Sequence, residues 1–326
     1  MNSKTPVVAA ADGLFPPADP YDGGLLPVSG GHRIAYTQRG APDGIPAVVL
    51  HGGPGSGSSP FQARFFDPGC YRVIQFDQRG SGQSQPAGET RHNRTGLLLE
   101  DIEALRRHLG IARWLVVGGS WGATLGAAYA AAHRPVVSGA LLRGLFLTGG
   151  DDFRWFFRDA AAFHPEAWAA LVQVVPPWAR GDLLPWLCKV FAGRDQALQA
   201  LAARAWFAWE RALSSLPPAP APEGEALRAL CLRYRVQSHY LAHRCWLGKS
   251  RVLQACAALR GLPLLFLHGS VDAVCRPVSA WLAHRACPGS RLAWAEGAGH
   301  DPYHPAMAAA MVGAMDAYAA KGDFGE

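Results

Sequence analysis

The stretch Trp114–His133, WLVVGGSWGATLGAAYAAAH, holds an apolar run, a glycine-rich turn and an alanine-rich run in direct succession. The apolar run predicts a buried strand over Trp114–Gly118, and the alanine-rich run predicts a helix over Trp121–His133. Between them, Gly118–Gly122 (GGSWG) fits the pattern G-x-S-x-G in the strand–turn–helix context that this pattern requires. Its glycines permit a tight turn that lifts the hydroxyl of Ser120 clear of the backbone, and the helix start directs N–H groups towards it. Ser120 is therefore a candidate nucleophile; the alternative is an ordinary strand–helix turn.

Similar apolar runs alternate with helix-like stretches along the rest of the chain. This alternation predicts the α/β class, with a doubly wound, mostly parallel sheet. The clearest further helix is Leu97–Leu109. The predicted strands, all rich in Val, Ile and Leu, are Ala47–His51, Arg72–Asp77, Trp114–Gly118, Ala140–Arg143, Pro263–His268 and Leu292–Ala295.

Polar residues follow the carboxyl ends of these strands, where open α/β sheets bind ligands. They are His51, Asp77, Ser120, Arg143, Asp272 and the loop Gly297–His300. We therefore expect the functional site at this edge of the sheet.

The middle of the chain has a different character. Tryptophans and prolines are dense between Asp151 and Arg251, and no good strand is found there. LPPAPAPE at Leu216–Glu223 predicts a stiff, exposed loop. We interpret residues 151–251 as a helical cap inserted between a first core segment, residues 1–150, and a second, residues 252–326.

The glycine loop His51–Gly55 (HGGPG) follows the strand that contains AVVL. An acyl-transfer enzyme needs two main-chain N–H groups directed at the developing oxyanion. One is expected from the residue after the nucleophile, Trp121, and the other from this loop, at Gly53. The alternative is a phosphate-binding or structural loop, but the lysine of a nucleotide-binding P-loop is missing here.

The candidate base and acid follow from chain order. In this type of site the order is serine, acid, histidine. His300 lies in the loop GAGH after the last predicted strand, and Asp272 follows the preceding strand in HGSVD. Asp301 is the rival acid, but its position next to His300 makes the required Nδ1 contact awkward. Asp77 has a catalytic interpretation too, although a loop tied by an Asp77–Arg79 pair is the favoured one.

Bulk properties exclude several classes. The chain has 326 residues, 49% hydrophobic and 17% charged, with a formal charge of +6 and no long basic run, which argues against nucleic-acid binding. Seven cysteines without a CxxC pair predict reduced thiols rather than a disulfide framework. MNSKTPVVAAADGLFPP is a poor signal peptide, and no apolar run is long enough to span a bilayer. We expect a soluble cytoplasmic protein without a metal or cofactor; the oligomeric state stays open.

Several motifs together resemble those of the proline iminopeptidases, which have the α/β-hydrolase fold. They are HGGPG at His51–Gly55, DQRGSGQS at Asp77–Ser84, GGSWGATL at Gly118–Leu125, LRGLF at Leu142–Phe146, PEAW at Pro165–Trp168, RGDLL at Arg180–Leu184, ARAWFAWE at Ala203–Glu210, HGSVD and GAGH. The resemblance covers nearly the whole chain from about residue 20. It implies the release of an N-terminal residue, preferentially proline, from short peptides by Ser120, Asp272 and His300.

The resemblance also implies substrate-contact residues. Glu210 is the candidate anchor for the free amine, because it shares a helical face with apolar side chains and would need a positive partner there. The alternative partner is Arg211 or another arginine of the chain. Arg143 is a candidate that could pair with a cap carboxylate, and Gly52 is a further contact candidate.

One position departs from the family pattern. A second family glutamate is replaced by Gln237 in RVQSHY, which suggests weaker amine anchoring and broader substrates. Cys275 is expected near the site, either as a thiol whose modification blocks it or as an inert core residue. Two other functions stay open: an esterase or amidase that acts on small uncharged molecules, and, more remotely, a ligand receptor without catalysis.

Overall fold

The computed structural model describes residues 13–217 and 219–325. The first twelve residues, on which most of the signal-peptide argument rests, lie outside this range. Within it, no helix is long and apolar enough to cross a membrane.

A single eight-stranded sheet forms the centre of the molecule, in the order β1-β2-β4-β3-β5-β6-β7-β8. The strands are β1 (Asp22–Pro27), β2 (Arg33–Gly40), β3 (Ile45–Leu50), β4 (Tyr71–Phe76), β5 (Trp114–Gly119), β6 (Val137–Arg143), β7 (Leu264–Gly269) and β8 (Arg291–Ala295). Along the sheet, the six strands β4, β3, β5, β6, β7 and β8 pair in parallel, and β2 pairs antiparallel with both β1 and β4. All six strands expected from the sequence are present, and the predicted fold class is confirmed.

Helices cover both faces of the sheet and form most of the chain between β6 and β7. They are α1 (Thr95–His108), α2 (Trp121–Ala132), α3 (Gly150–Phe157), α4 (Pro165–Gln173), α5 (Leu183–Ala192), α6 (Gln196–Leu213), α7 (Gly224–Ala242), α8 (Gly248–Ala257), α9 (Val278–Ala286) and α10 (Pro305–Lys321). One apolar core lies between the sheet and α1, α2, α8 and α9, and a second lies between the sheet and α10. This arrangement explains why the central strands are apolar on both faces.

A third apolar core lies among helices α3 to α7, in the region expected to be a cap. Its centre is aromatic: Trp206 and Trp209 of α6 are fully buried, and Trp206 stacks on Tyr234 of α7 with ring centroids 4.4 Å apart. A separate core favours a separate unit, but α8 crosses residue 251 and its Val252 and Cys256 belong to the sheet's own core. The three-segment division therefore stays a prediction.

Candidate active site

Ser120 stands at the sharp turn between β5 and α2. Its backbone has φ 58° and ψ −124°, a conformation that L-residues rarely adopt and that is typical of functional turns. The flanking glycines are required by space, because a Cβ at Gly118 would lie 2.2 Å from the Gly122 carbonyl oxygen and a Cβ at Gly122 would lie 2.0 Å from that of Leu50. The Ser120 amide donates to the Arg143 carbonyl at 2.8 Å, which ties the turn to β6.

His300 and Asp272 are in direct contact. His300 Nδ1 lies 2.7 Å from Asp272 Oδ2, and Asp272 Oδ1 accepts from the amides of Val274 and Cys275, both at 2.9 Å. The rival acid Asp301 is occupied elsewhere, since its Oδ1 accepts from the Tyr303 amide at 3.0 Å. Of the two candidate acids, Asp272 is the one that contacts the His300 ring.

The surroundings of Asp272 favour its ionised form. Burial opposes ionisation, but the imidazole of His300 and its hydrogen bond, together with His268 and the Cys275 amide, outweigh it and lower the pKa of Asp272. An ionised carboxylate only accepts hydrogen bonds, so the proton of this contact belongs to His300 Nδ1. In the neutral imidazole, the other ring nitrogen, Nε2, carries the lone pair that a general base needs.

Ser120 and His300 line the same cleft. Ser120 Oγ forms a hydrogen bond with Cys275 Sγ, with the two atoms 3.9 Å apart. Within the described part of the chain, Ser120 Oγ has no hydrogen bond to the His300 ring. Cys275 is thus at the site, as expected, and burial raises the pKa of its thiol well above the ordinary value.

Two glycines of the HGGPG loop also line this cleft. A Cβ at Gly52 would lie 3.3 Å from Ser120 Cβ, so the loop passes directly beside the serine. Gly53 has φ 111°, which only glycine adopts without strain. Trp121 is the first residue of α2, where main-chain N–H groups have no acceptor within the helix.

A carboxylate cluster joins α6 and α7 at the wall of the cleft. Glu210 Oε2 accepts from Arg233 Nη2 at 2.8 Å and from the Tyr234 hydroxyl at 3.0 Å, and its Oε1 accepts from Gln237 Nε2 at 2.7 Å. The expected positive partner of Glu210 is therefore Arg233, not Arg211, whose guanidinium binds the Pro217 carbonyl instead.

Gln237 has a polar atom without a partner. Its side chain lines the cleft and is 5% exposed, and its Oε1 makes no hydrogen bond within residues 13–217 and 219–325. The orientation of the amide follows from chemistry, because the carboxylate of Glu210 can only accept and must face the NH₂ group. The free atom is therefore an acceptor.

Two sequence-based expectations about pairing are wrong. Arg143 does not pair with a cap carboxylate: its Nη1 donates to the His300 carbonyl at 2.9 Å, because β6 places it below the histidine loop. Asp77 does not pair with Arg79 either. Asp77 accepts from Ser58 and Gln83, which fastens the loop after HGGPG, while Arg79 forms a fully buried ion pair with Asp101 at 2.6 Å.

Some residues of the site were not expected from the sequence. Gly144, with φ 57°, lies against the His300–Asp272 pair, since a Cβ there would lie 3.2 Å from His300 Cε1. Asp152 lines the cleft as a second buried carboxylate and is bound by Arg276 at 3.0 Å. LRG at Leu142–Gly144 was the available signal for Gly144; Asp152 and Arg233 had none. No cluster of three or more His, Cys, Asp or Glu side chains suited to a metal occurs in the part of the chain that the structure describes.

Comparison with known proteins agrees with this fold. Residues 46–306 match the family model described as the alpha/beta hydrolase fold. An esterase from Rhodococcus sp. ECU1013 superimposes with a TM-score of 0.57 at 22% identity, over 86% of this chain and 92% of that one. The protein is thus an α/β hydrolase.

Curated relatives place it more narrowly. A proline iminopeptidase of Xylella fastidiosa is 37% identical over 94% of this chain and 99% of its own length. The proline iminopeptidase of Arabidopsis thaliana is 38% identical over 92% of this chain and 80% of its own length. The chain belongs to the proline iminopeptidase family, and the resemblance found in its motifs is confirmed.

Proposed function

We propose that this protein is a serine peptidase that releases an N-terminal residue, preferentially proline, from short peptides. The observation that carries the proposal is the 2.7 Å contact between His300 Nδ1 and Asp272 Oδ2 in a cleft that also contains Ser120 and a cap carboxylate, Glu210. The relatives named above, which are proline iminopeptidases, support the same activity.

In the proposed mechanism, Ser120 Oγ attacks the carbonyl carbon of the first peptide bond while its proton passes to His300 Nε2. The tetrahedral intermediate collapses as the C–N bond breaks and His300 returns the proton to the leaving amine. Water then repeats the sequence on the acyl-enzyme and releases the free amino acid. Asp272 holds the imidazole in the correct tautomer and stabilises the imidazolium. The serine–histidine hydrogen bond forms when substrate binds, as is common for such pairs.

The oxyanion of that intermediate is proposed to bind the main-chain N–H groups of Gly53 and Trp121. Trp121 follows Ser120 at the start of α2, and Gly53 follows Gly52, where a Cβ would lie 3.3 Å from Ser120 Cβ. Removing one such donor typically costs about 10²–10³ in kcat.

The amine of the substrate is proposed to bind at Glu210 and Gln237. Glu210 is already neutralised by Arg233, so the free acceptor Oε1 of Gln237 offers a hydrogen bond but no charge. Charge-assisted hydrogen bonds are roughly twice as strong as neutral ones. We therefore expect weak selection for a charged amine and activity on residues besides proline. The helices of the cap region cover this end of the cleft, which favours short chains.

An esterase or amidase activity on small uncharged molecules is the second candidate. The specific observation that favours it is the Glu210–Arg233 ion pair at 2.8 Å, which leaves the amine end without net charge.

A panel of aminoacyl arylamides, each with a free and an acetylated amine, separates the two candidates. The peptidase proposal predicts that free prolyl arylamide has the highest kcat/KM and that acetylation lowers it. Equal rates on free and acetylated substrates, together with fast nitrophenyl ester hydrolysis, would favour the esterase. Ser120→Ala serves as the control for contaminating activity.

A further inference from the structure

Gln78 connects the two elements that flank Ser120. It follows β4 and is 2% exposed. Its Nε2 donates to the His51 carbonyl at 2.8 Å, and its Oε1 accepts from Trp121 Nε1 at 2.8 Å. One buried amide thus binds both the start of the HGGPG loop and the first side chain of α2.

The orientation of this amide is fixed by its partners. An indole N–H only donates and a main-chain carbonyl only accepts, so the oxygen of Gln78 must face Trp121 and its nitrogen must face His51. A flipped amide would place like groups against each other at both ends.

The main chain of Gln78 fixes the His51 ring as well. Its N–H donates to His51 Nε2 at 2.9 Å, so this nitrogen carries a lone pair. Burial lowers the pKa of His51 against the opposing pull of Asp77, which keeps the ring neutral with its proton on Nδ1. That Nδ1 donates to the Gly52 carbonyl at 2.9 Å.

Fixing the Gly52 carbonyl also directs the Gly53 amide. The two groups belong to one planar trans peptide unit, in which C=O and N–H point in opposite directions. The hydrogen bond from the His51 ring, with a longer one from the Ser56 amide at 3.4 Å, therefore sets where the Gly53 N–H points. At its other end, the Gln78 amide holds the indole of Trp121, whose own main-chain N–H is the second oxyanion donor proposed above.

We propose that Gln78 is a positioning residue that fixes the Gly53 and Trp121 amides relative to each other, with His51 relaying its effect to Gly53. This inference rests on the proposed function, because it takes these amides as the oxyanion donors. It assigns to the second residue of DQRGSGQS a role in the reaction, although the hydrogen bonds of Gln78 go to His51 and Trp121 and not to Ser120 itself.

The test is Gln78→Met, which keeps the length of the side chain and removes both hydrogen bonds. The matched control is Gln38→Met: Gln38 is also buried and bonded at both ends, to Asp22 and Arg72, but it lies on β2 away from the cleft. We expect Gln78→Met to lower kcat by roughly 10- to 100-fold, less than the loss of a whole donor, with KM within about twofold. Gln38→Met should leave both constants unchanged while lowering Tm similarly.

A second readout does not depend on the substrate. The rate of phosphonylation by a fluorophosphonate should fall in Gln78→Met by a similar factor, because the phosphoryl oxygen occupies the same donors. Should Gln78→Met fail to fold, Gln78→Glu replaces it. Its carboxylate can still accept the hydrogen bond from Trp121 Nε1, but it cannot donate to the His51 carbonyl, which then faces a second acceptor. A folded variant with kcat and phosphonylation rate within twofold of the wild type would overturn the inference. A wild-type protein that is phosphonylated but hydrolyses no aminoacyl arylamide would refute the proposed function alone.

Discussion

Gln237→Glu tests the amine site most informatively. In the structure, Gln237 Nε2 donates to Glu210 Oε1 at 2.7 Å, and its Oε1 is a buried acceptor without a partner among the described residues. Glu210 and Arg233 together carry no net charge. The substitution gives this cluster a net charge of −1 and places the new carboxylate where a substrate ammonium is proposed to bind.

The size of the effect follows from the two kinds of hydrogen bond. A neutral bond contributes about 0.5–1.5 kcal/mol and a bond to a charged group about 1.5–3 kcal/mol. The midpoints of these ranges differ by about 1.3 kcal/mol, which corresponds to roughly tenfold in kcat/KM. In the free enzyme the two carboxylates repel each other, so the variant should also have a lower Tm.

The assay compares prolyl arylamide with its N-acetyl derivative in steady-state kinetics. For Gln237→Glu we expect kcat/KM to rise about tenfold on the free amine and to change less than twofold on the acetylated one. Gln237→Met, which lacks the acceptor, is the matched control and should lower kcat/KM on the free amine. An unchanged or reduced kcat/KM of Gln237→Glu on the free amine would refute the reasoning, as would an equal rise on both substrates.

Three further predictions concern the His300–Asp272 pair and the stability of the protein at acid pH. Asp272→Asn should lower kcat about 10⁴-fold with little change in Tm, because the amide favours the wrong tautomer of His300; a loss below tenfold would contradict the role of Asp272. Gly144→Ala should lower kcat about tenfold, because its Cβ would lie 3.2 Å from His300 Cε1 and would push the imidazole ring aside by a fraction of an ångström. A misplacement of about 1 Å typically costs 10²-fold in rate, so a smaller shift should cost less. Unchanged kinetics of the variant would show that the ring had not moved. The pKa of Glu103 is lowered to about 2, chiefly by its hydrogen bond to Arg106. The stability that this carboxylate contributes is therefore complete at a pH above its ordinary pKa of 4.5 and is lost as the pH falls towards 2. Tm measured against pH should therefore fall less steeply over that range in Glu103→Gln than in the wild type, and parallel curves would argue against it.

The strands that matter most for the site were predictable because burial on both faces makes them apolar throughout. β3 and β5 are of this kind, and the polar residues at their ends indicated the edge of the sheet where the cleft lies. β1 and β2 escaped prediction for the opposite reason. They form a half-exposed antiparallel pair at the sheet edge, so neither has a continuous apolar run.

Pairings between side chains were harder to predict than positions. Asp77 and Arg79 are close in sequence, but successive contacts with Ser58 and Asp101 draw them to different parts of the molecule. The Glu210–Arg233 pair joins two helices across 23 residues, and nothing in the periodicity of either helix signals it. The strands and the polar residues that follow them can be recognised from short stretches of sequence. The partners in an ion pair, in contrast, depend on how distant helices pack together.

Covalent labelling of the nucleophile tests the central claim most directly. The purified protein is treated with a fluorophosphonate, with and without excess prolyl arylamide, and the site of attachment is mapped by mass spectrometry of its peptides. We predict one phosphonyl group per chain, on Ser120, with protection by the substrate and no labelling of His300→Ala at a comparable rate. An unlabelled wild-type protein, or attachment at another residue with Ser120 unmodified, would contradict the account.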